Sequence, residues 1–496
     1  MHIANTHKRW LVILGLLLLH AVLLVAFRDK FNHERQLAEY PALWLAAGLV
    51  SAGIVFLFLV RLIRNTADND TTDTTDTTRL LALIVAGGLL MRVLLLWSTP
   101  ALEDDFYRYL WDGGVTANGY SPYNVPPAAA EAEQLPKPFR DLADDAGHIR
   151  DRINHPKLRT IYPPVAQAAF ALAYLAEPWS LFAWRFVCIL SEIASLALLL
   201  ALLRETARSP LWVAVYWWNP LVVKELVNSA HMESILMPLV LGTLLLAVRQ
   251  RHVAAAGMLA LACGAKVWPI ILAPLIFRPL LSDPRGLAKA AGVLVALVVV
   301  LALPPIRAGL DQTSGIVAYA TQWQTNSALF PAFAKLIGIV TGMLSASPDL
   351  APKLARIVFT GVICAFSLAI AFRPIESTQD LLGRATLVAA TMLLLSPAQF
   401  PWYLIWVQPL LAIRPIKGLL VATMLMPVYY ASFHFHASDT YWIFRDYIVW
   451  AIWIPIWTLL AVEARDAWLN RPGFGADKGA MITPPLQPQL ASRTRT

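Results

Sequence analysis

The sequence predicts an all-α protein that crosses a membrane many times, and three observations predict it. Of its 496 residues, 58% are hydrophobic and only 15% charged, with a mean hydropathy of +0.57. The apolar residues gather in repeated runs of about 17–25, each long enough to cross the hydrocarbon core as a helix. Lys and Arg collect at the ends of those runs, and the alternation of a transmembrane barrel is absent. The fold class is therefore a polytopic bundle of roughly 11–14 transmembrane helices with one large outer loop. A net charge of +8 would suggest nucleic acid in a soluble protein. Here it is topology, so membrane lipids are the expected partner and nucleic acid is not.

The elements follow in order. Lys8 and Arg9 keep the N-terminus inside, and the run from Trp10 to Phe27 lacks a small-residue cleavage site, so it reads as a retained first helix. A second helix near 41–60 returns the chain. Arg61, Arg64 and Arg79 then flank a Thr/Asp-rich segment, 65–78, with nothing to bury, which reads as a flexible cytoplasmic linker. A third helix near 80–97 exits and delivers Glu103, Asp104 and Asp105 to the outer face. The loop 98–160 carries ten acids against seven Lys and Arg, unlike a cytoplasmic loop. Pro163 and Pro164 suit the first turn of a helix, and the run after them is short enough to dip into the membrane without crossing.

Helices near 181–203, through Trp217–Pro220, and down to Arg249 come next. In the stretch from Val253 to Arg278, Gly264, Lys266 and Pro269 predict a break that turns Lys266 outward. A helix near 288–304 leads to an outer loop, 305–327. The run 328–345 fits the outer interface better than a crossing. Helices near 354–371 and 384–396 precede a return at Pro401, and a last hairpin carries FHFHASDTYWIFRD at its tip. The domain reading is 1–97 as N-terminal helices with their linker, 98–160 as the outer catalytic loop, 161–465 as the bundle, and 466–496 as a disordered tail. Cys188, Cys263 and Cys364 lie in apolar runs without C-x-x-C spacing and read as buried packing residues. Trp217, Trp218, Trp402, Trp442 and Trp450 read mainly as an interfacial belt.

The chemistry concentrates in the outer loop. A carboxylate cluster at the mouth of a membrane helix is costly unless it sits in water or a functional cavity. Asp105, with Asp104 beside it, is placed to act as a general base on a hydroxyl group. His155, Lys157, Arg159 and Tyr162 form a basic and aromatic patch that suits either interfacial anchoring or a phosphate site. Lys224, Glu225, His231 and Glu233 surround a helix end, and Lys266 stands between apolar half-helices. Such intramembrane ionisable groups are functional candidates. His434 and His436, at a loop tip without nearby carboxylates, make a weak metal pair, and no metal or other cofactor is assigned.

The run Asp105-Phe106-Tyr107-Arg108-Tyr109-Leu110-Trp111-Asp112-Gly113, followed by Gly119-Tyr120-Ser121-Pro122-Tyr123, resembles bacterial integral-membrane glycosyltransferases of the GT-C superfamily. The similarity is to the branch of polyprenol-phosphate-dependent mannosyltransferases. His155-Pro156 with Thr160-Ile161-Tyr162-Pro163-Pro164, Asn219-Pro220 with Ala230-His231-Met232-Glu233, Lys266 with Pro269, and Pro401-Trp402-Tyr403 follow in the same order. The acidic loop follows the third helix here, whereas many such proteins carry it after the first. The resemblance implies a polyprenyl-phosphate sugar as donor, mannose or similar, and a glycan or glycolipid as acceptor. It also implies an active site on the outer, periplasmic face of the cytoplasmic membrane. On this resemblance Asp105 is the key acid, and Arg108, His155, Lys157, Arg159, Tyr162 and Lys266 face the donor phosphate. Tyr109, Trp111, Asp112, Tyr123, His231, Glu233, Trp402 and Tyr403 line the sugar and acceptor pocket.

No stretch is long enough for a nucleotide-sugar domain, and a membrane-embedded donor explains that. A phosphate leaving group needs mainly one base and positioning, where a glycoside hydrolase needs two carboxylates. The alternatives are a transporter or lipid flippase, which should show paired broken helices in internal repeats, and a polymerase or ligase of lipid-linked oligosaccharides.

Overall fold

The computed structural model describes residues 2–32, 36–67, 74–343, 347 and 349–469. Among them the chain is helices and connecting turns, with an isolated bridge between Thr325 and Ala398. In chain order the helices used below are α1 (His2–Ala26), α2 (Ala42–Ala67), α3 (Thr74–Leu95), α4 (Asp105–Ala117), α5 (Pro164–Ala176), α6 (Leu181–Glu205), α7 (Glu233–Val248), α8 (His252–Ala265), α9 (Pro284–Arg307), α10 (Leu329–Met343), α11 (Leu350–Phe372), α12 (Thr378–Leu395), α13 (Lys417–Ala437) and α14 (Tyr441–Leu469). Eight of the described helices are long and apolar enough to cross a membrane: α1, α2, α3, α6, α9, α11, α13 and α14. Five shorter apolar helices, among them α5, α7, α8 and α10, and the 18-residue α12 accompany them. The protein is thus an all-α polytopic membrane protein.

Local sequence explains where elements start. Pro164 opens α5 at its first turn, where its missing N–H costs nothing. Ser180 caps α6 by accepting from the Ala183 amide at 3.2 Å. Asn219 Oδ1 accepts from Leu221 and Val222 amides at 3.0 and 3.2 Å, with Pro220 behind it. The break at Lys266 is present: α8 ends there in extended backbone and a tight turn, Trp268–Leu272, follows.

Several expectations change. The stretch 210–228 is a string of short turns rather than one outgoing helix. Trp217 and Trp218 belong to the core, not to an interfacial belt, since both are fully buried. Their indole N–H groups reach the carbonyls of Val85 and Ile84 at 3.1 and 2.7 Å, so burial leaves no donor unmet. The linker expected over 65–78 is helical at both ends, in α2 to Ala67 and in α3 from Thr74, and its middle lies outside the described residues. Residues 466–469 continue α14, and the rest of the expected tail lies outside the described residues. Of the cysteines, Cys188 is buried as expected but Cys364 is exposed.

The loop 98–160 folds around α4, which packs along α5. A Cβ on Gly113 would stand 2.5 Å from the Phe170 carbonyl oxygen, so this contact requires glycine. Gly113→Ala is expected to cost about 1–3 kcal/mol by forcing the helices apart. A thermal midpoint in detergent equal to wild type would show that α5 yields freely.

Candidate active site

The chain leading to the acids is held by two buried side chains. Arg185 of α6 donates to the carbonyls of Leu96 and Ser98, at 3.2 and 2.7 Å, and to that of Asn228. Asn228 accepts from the Ala101 amide at 3.0 Å and donates to Ser98 Oγ and the Thr99 carbonyl, each at 2.8 Å. Residues 96–101 are therefore stitched to the helix end that carries Glu225 and His231.

Glu103 then points away from Asp104 and Asp105. Asp104 and Asp105 share Asn154, whose Nδ2 donates to one oxygen of each at 2.9 and 2.8 Å. The turn presenting Asn154 is held by Arg108, one terminal nitrogen of which donates to the carbonyls of Asn154, His155 and Leu158 at 3.1–3.3 Å. His155 itself takes a left-handed backbone, φ 49°, uncommon for a side chain of its size. The second oxygen of Asp105 lies 3.5 Å from the Tyr109 hydroxyl and 3.8 Å from His231 Nδ1. Glu103 turns inward: Tyr430 Oη is 2.7 Å from both Glu103 and Glu225. A phenol has one proton to give, and Lys224 Nζ, 3.3 Å from Glu225, supplies a second donor. His231 Nε2 sits 3.6 Å from Glu103 and 3.5 Å from Glu225, with its ring stacked on Trp402 at 4.0 Å. His231 thus bridges a buried charge cluster on one side and Asp105 on the other.

The three acids open into a cavity of about 970 Å³. Arg108, Tyr109, Asn154, His155, Tyr162, Glu233 and Lys266 line its polar part, with Trp402 and Tyr403 beside them. Lys266 pairs with Glu233 and lies over the rings of Tyr403 and Trp406, 4.3 and 5.0 Å from their centroids. Further along, the wall becomes apolar: Val267, Ile270, Ile316, Phe359, Ile363 and Leu395.

The structure places Asp104, Asp105, Arg108, Tyr109, His155, Arg159, Tyr162, Glu233, Lys266, Trp402 and Tyr403 around this one cavity. Some candidates sit elsewhere, and some that line the cavity also hold the fold together. Lys157 is exposed and outside the lining. Arg159 uses its terminal nitrogens on the carbonyls of Ala308 and Gly309 and on Asp311, which tethers two loops. Trp111 is core, packed with Phe139 and Trp179. Asp112 accepts from Gln167 at 3.0 Å, and Tyr123 donates to the Tyr162 carbonyl at 2.7 Å, so both brace the wall from behind. His231 lies under the cavity floor, fully buried. Residues that sequence reasoning did not single out include Asn154, Tyr319, Trp323, Arg356 and Tyr430. Arg356 carried a usable signal, a cation within an apolar run. The others carried none.

Glu103, Glu225 and His231 offer ligand atoms within 4.8 Å of one another, close enough to share a cation, although Lys224 already brings positive charge there. His436, of the other candidate pair, stacks on Tyr441 at 3.9 Å.

Burial at the cavity mouth, then repulsion from Asp105 and Glu103, push the Asp104 carboxyl from 3.8 up to about 7, against the pull of the Asn154 hydrogen bond. Its tip still reaches solvent, which screens part of this effect. A raised carboxyl binds its proton more tightly in the folded state, so its contribution to stability falls as pH rises from about 4 to 7. Asp104→Asn is expected to flatten that slope in thermal midpoints measured across this range. A slope unchanged from wild type would show that Asp104 titrates normally.

A family model described as "Alpha-(1->6)-mannopyranosyltransferase, N-terminal domain" matches residues 15–280, more than half of the chain. The match runs from within α1 through α8 and takes in Glu103, Asp104, Asp105, Glu225, His231, Glu233 and Lys266. No curated protein matches the chain.

Proposed function

Because the chain belongs to the alpha-(1->6)-mannopyranosyltransferase family and is a multi-pass membrane mannosyltransferase, we propose a specific reaction for it: transfer of mannose from a polyprenyl-phosphate donor to a hydroxyl of a mannan or mannosylated glycolipid. On this reading the reaction takes place at the outer face of the cytoplasmic membrane. The observation that carries this reading is the continuity of one cavity from three carboxylates to an apolar wall. A sugar phosphate on a long hydrocarbon has those two natures, and a nucleotide sugar does not.

In the proposed step the acceptor oxygen attacks the anomeric carbon, the bond from that carbon to the phosphate oxygen breaks, and the acceptor proton passes to Asp105. Polyprenyl monophosphate leaves with the bonding pair. Asn154 holds Asp105 from one oxygen, leaving the other towards Tyr109 and His231. The proton on Asp105 then has a route towards His231 and the Glu103–Glu225 cluster. Tyr109, Tyr162, Trp402 and Tyr403 offer ring faces and hydroxyls to the sugars. Arg108 shapes the site by fixing the 154–158 turn.

The test is to incubate purified protein with manno-oligosaccharide acceptor and a panel of polyprenyl-phosphate sugars, alongside GDP-mannose. Release of polyprenyl monophosphate with the mannosyl donor, and no use of GDP-mannose, is expected. Transfer from GDP-mannose alone would overturn the donor assignment.

A further inference from the structure

Resting on the polyprenyl-phosphate reading, we propose that α11 carries the donor's lipid: Arg356 binds its phosphate, and the stripe Phe359, Thr360, Ile363 and Cys364 seats the first isoprene units. These five positions all line the cavity. They fall at i, i+3, i+4, i+7 and i+8, one face of a helix. The stripe runs about 12 Å along the axis, with the cation at one end and apolar or weakly polar side chains beyond it. That is the order of charge and hydrocarbon in an isoprenoid phosphate.

The other lining cations are engaged. Arg108 holds three carbonyls with one terminal nitrogen and sits near Asp105 and Asp112, Arg159 holds the 308–311 loop, and Lys266 holds Glu233. Arg356 pairs with no carboxylate among the described residues. One terminal nitrogen donates to the Trp323 carbonyl at 3.0 Å, and its Nε has no partner. The Trp323 ring packs on His155 at 4.6 Å, beside the Asn154 that holds Asp105. Arg356 lines the cavity, fixed at one corner by the Trp323 carbonyl and lying 5.1 Å over the Phe330 ring, and a guanidinium so held keeps donors that can grip a phosphate by charge-assisted hydrogen bonds. Neither Arg356 nor the stripe lies within the family match.

Cys364 gives a readout independent of turnover. It is exposed, Cys188 is buried, and Cys263→Ala removes the remaining partly accessible thiol. In full-length protein in lipid nanodiscs, decaprenyl monophosphate should slow maleimide labelling of Cys364. Arg356→Gln should raise the concentration for half-protection about 10- to 100-fold, the worth of one charge-assisted contact. Arg356→Lys should recover part of that loss. Decaprenol, lacking phosphate, should protect wild type and Arg356→Gln equally weakly, and inorganic phosphate should not protect. Thr360→Trp, filling the groove from an exposed position, should weaken both lipids.

Labelling of Arg356→Gln without lipid at the wild-type rate reports an intact fold. If that variant does not fold, Arg356→Lys and Thr360→Trp carry the comparison. Half-protection unchanged by the Arg356 and Thr360 substitutions overturns the proposal, as does equal protection by inorganic phosphate. Wild-type turnover of polyprenyl-phosphate mannose without any protection of Cys364 overturns the α11 site alone. Absence of both turnover and protection overturns the donor reading with it.

Discussion

Asp105→Asn is expected to lose about 10²- to 10⁴-fold in turnover, the usual worth of a positioned general base, while decaprenyl monophosphate still protects Cys364. Asparagine keeps the size of the side chain, and its amide oxygen can still accept from Asn154 as Asp105 does at 2.8 Å. What it lacks is the ability to take a proton. The loss should therefore fall on kcat and leave donor affinity nearly intact, since the proposed phosphate and lipid contacts involve other residues. Asp104→Asn should cost less. Its oxygens meet Asn154 and solvent, whereas Asp105 also meets Tyr109 and His231. A solvated loop acid with no role would tolerate either change within about 0.5 kcal/mol. Near-normal turnover in Asp105→Asn would remove it as the base. A larger loss at Asp104 would move the role one residue back.

Much of this arrangement is legible in the sequence, and what is not has a physical reason. The acids stand out because carboxylates at a helix exit are expensive unless used, and the order of later motifs gives the family. The break at Lys266 is legible because glycine, a cation and proline fall within six residues of an apolar run. The string of turns over 210–228 is not, because its composition suits a straight helix equally well, although Pro210 and Pro220 mark both of its restarts. In the Glu103–Glu225–His231 cluster Glu103 lies more than a hundred positions before the other two, and Tyr430 joins it from α13. No local pattern encodes such a meeting. Two of the basic residues have contacts that are hidden for a different reason. Arg108 donates through one terminal nitrogen to backbone carbonyls, and Arg159 to two more besides Asp311, acceptors that every loop has and no sequence displays.

Arg92→Met is expected to be the most destabilising single change in the bundle, at about 3–5 kcal/mol. Arg92 of α3 and Glu192 of α6 are both fully buried. Arg92 Nε and Nη2 reach one Glu192 oxygen at 2.9 and 2.6 Å, and the Tyr216 hydroxyl donates to the other. The remaining nitrogen of Arg92 donates to the carbonyls of Gly88 and Trp217 at 3.0 and 2.9 Å, and the guanidinium lies 3.5 Å over the Trp217 ring. One ion pair therefore joins α3, α6 and the turns at 216–217, the layer on which the Asn228 and His231 segment is built. Removing the arginine leaves a carboxylate in an apolar interior with only Tyr216 to answer it, and that unpaired charge accounts for the cost. The cost should consequently be relieved by neutralising the partner. Glu192→Gln keeps an acceptor for Tyr216, so the double variant Arg92→Met/Glu192→Gln should return to within about 1–2 kcal/mol of wild type. Unfolding of the three variants in detergent decides it. A double variant no more stable than Arg92→Met alone would show that the loss comes from the packing of Arg92 on Trp217 and not from the buried charge.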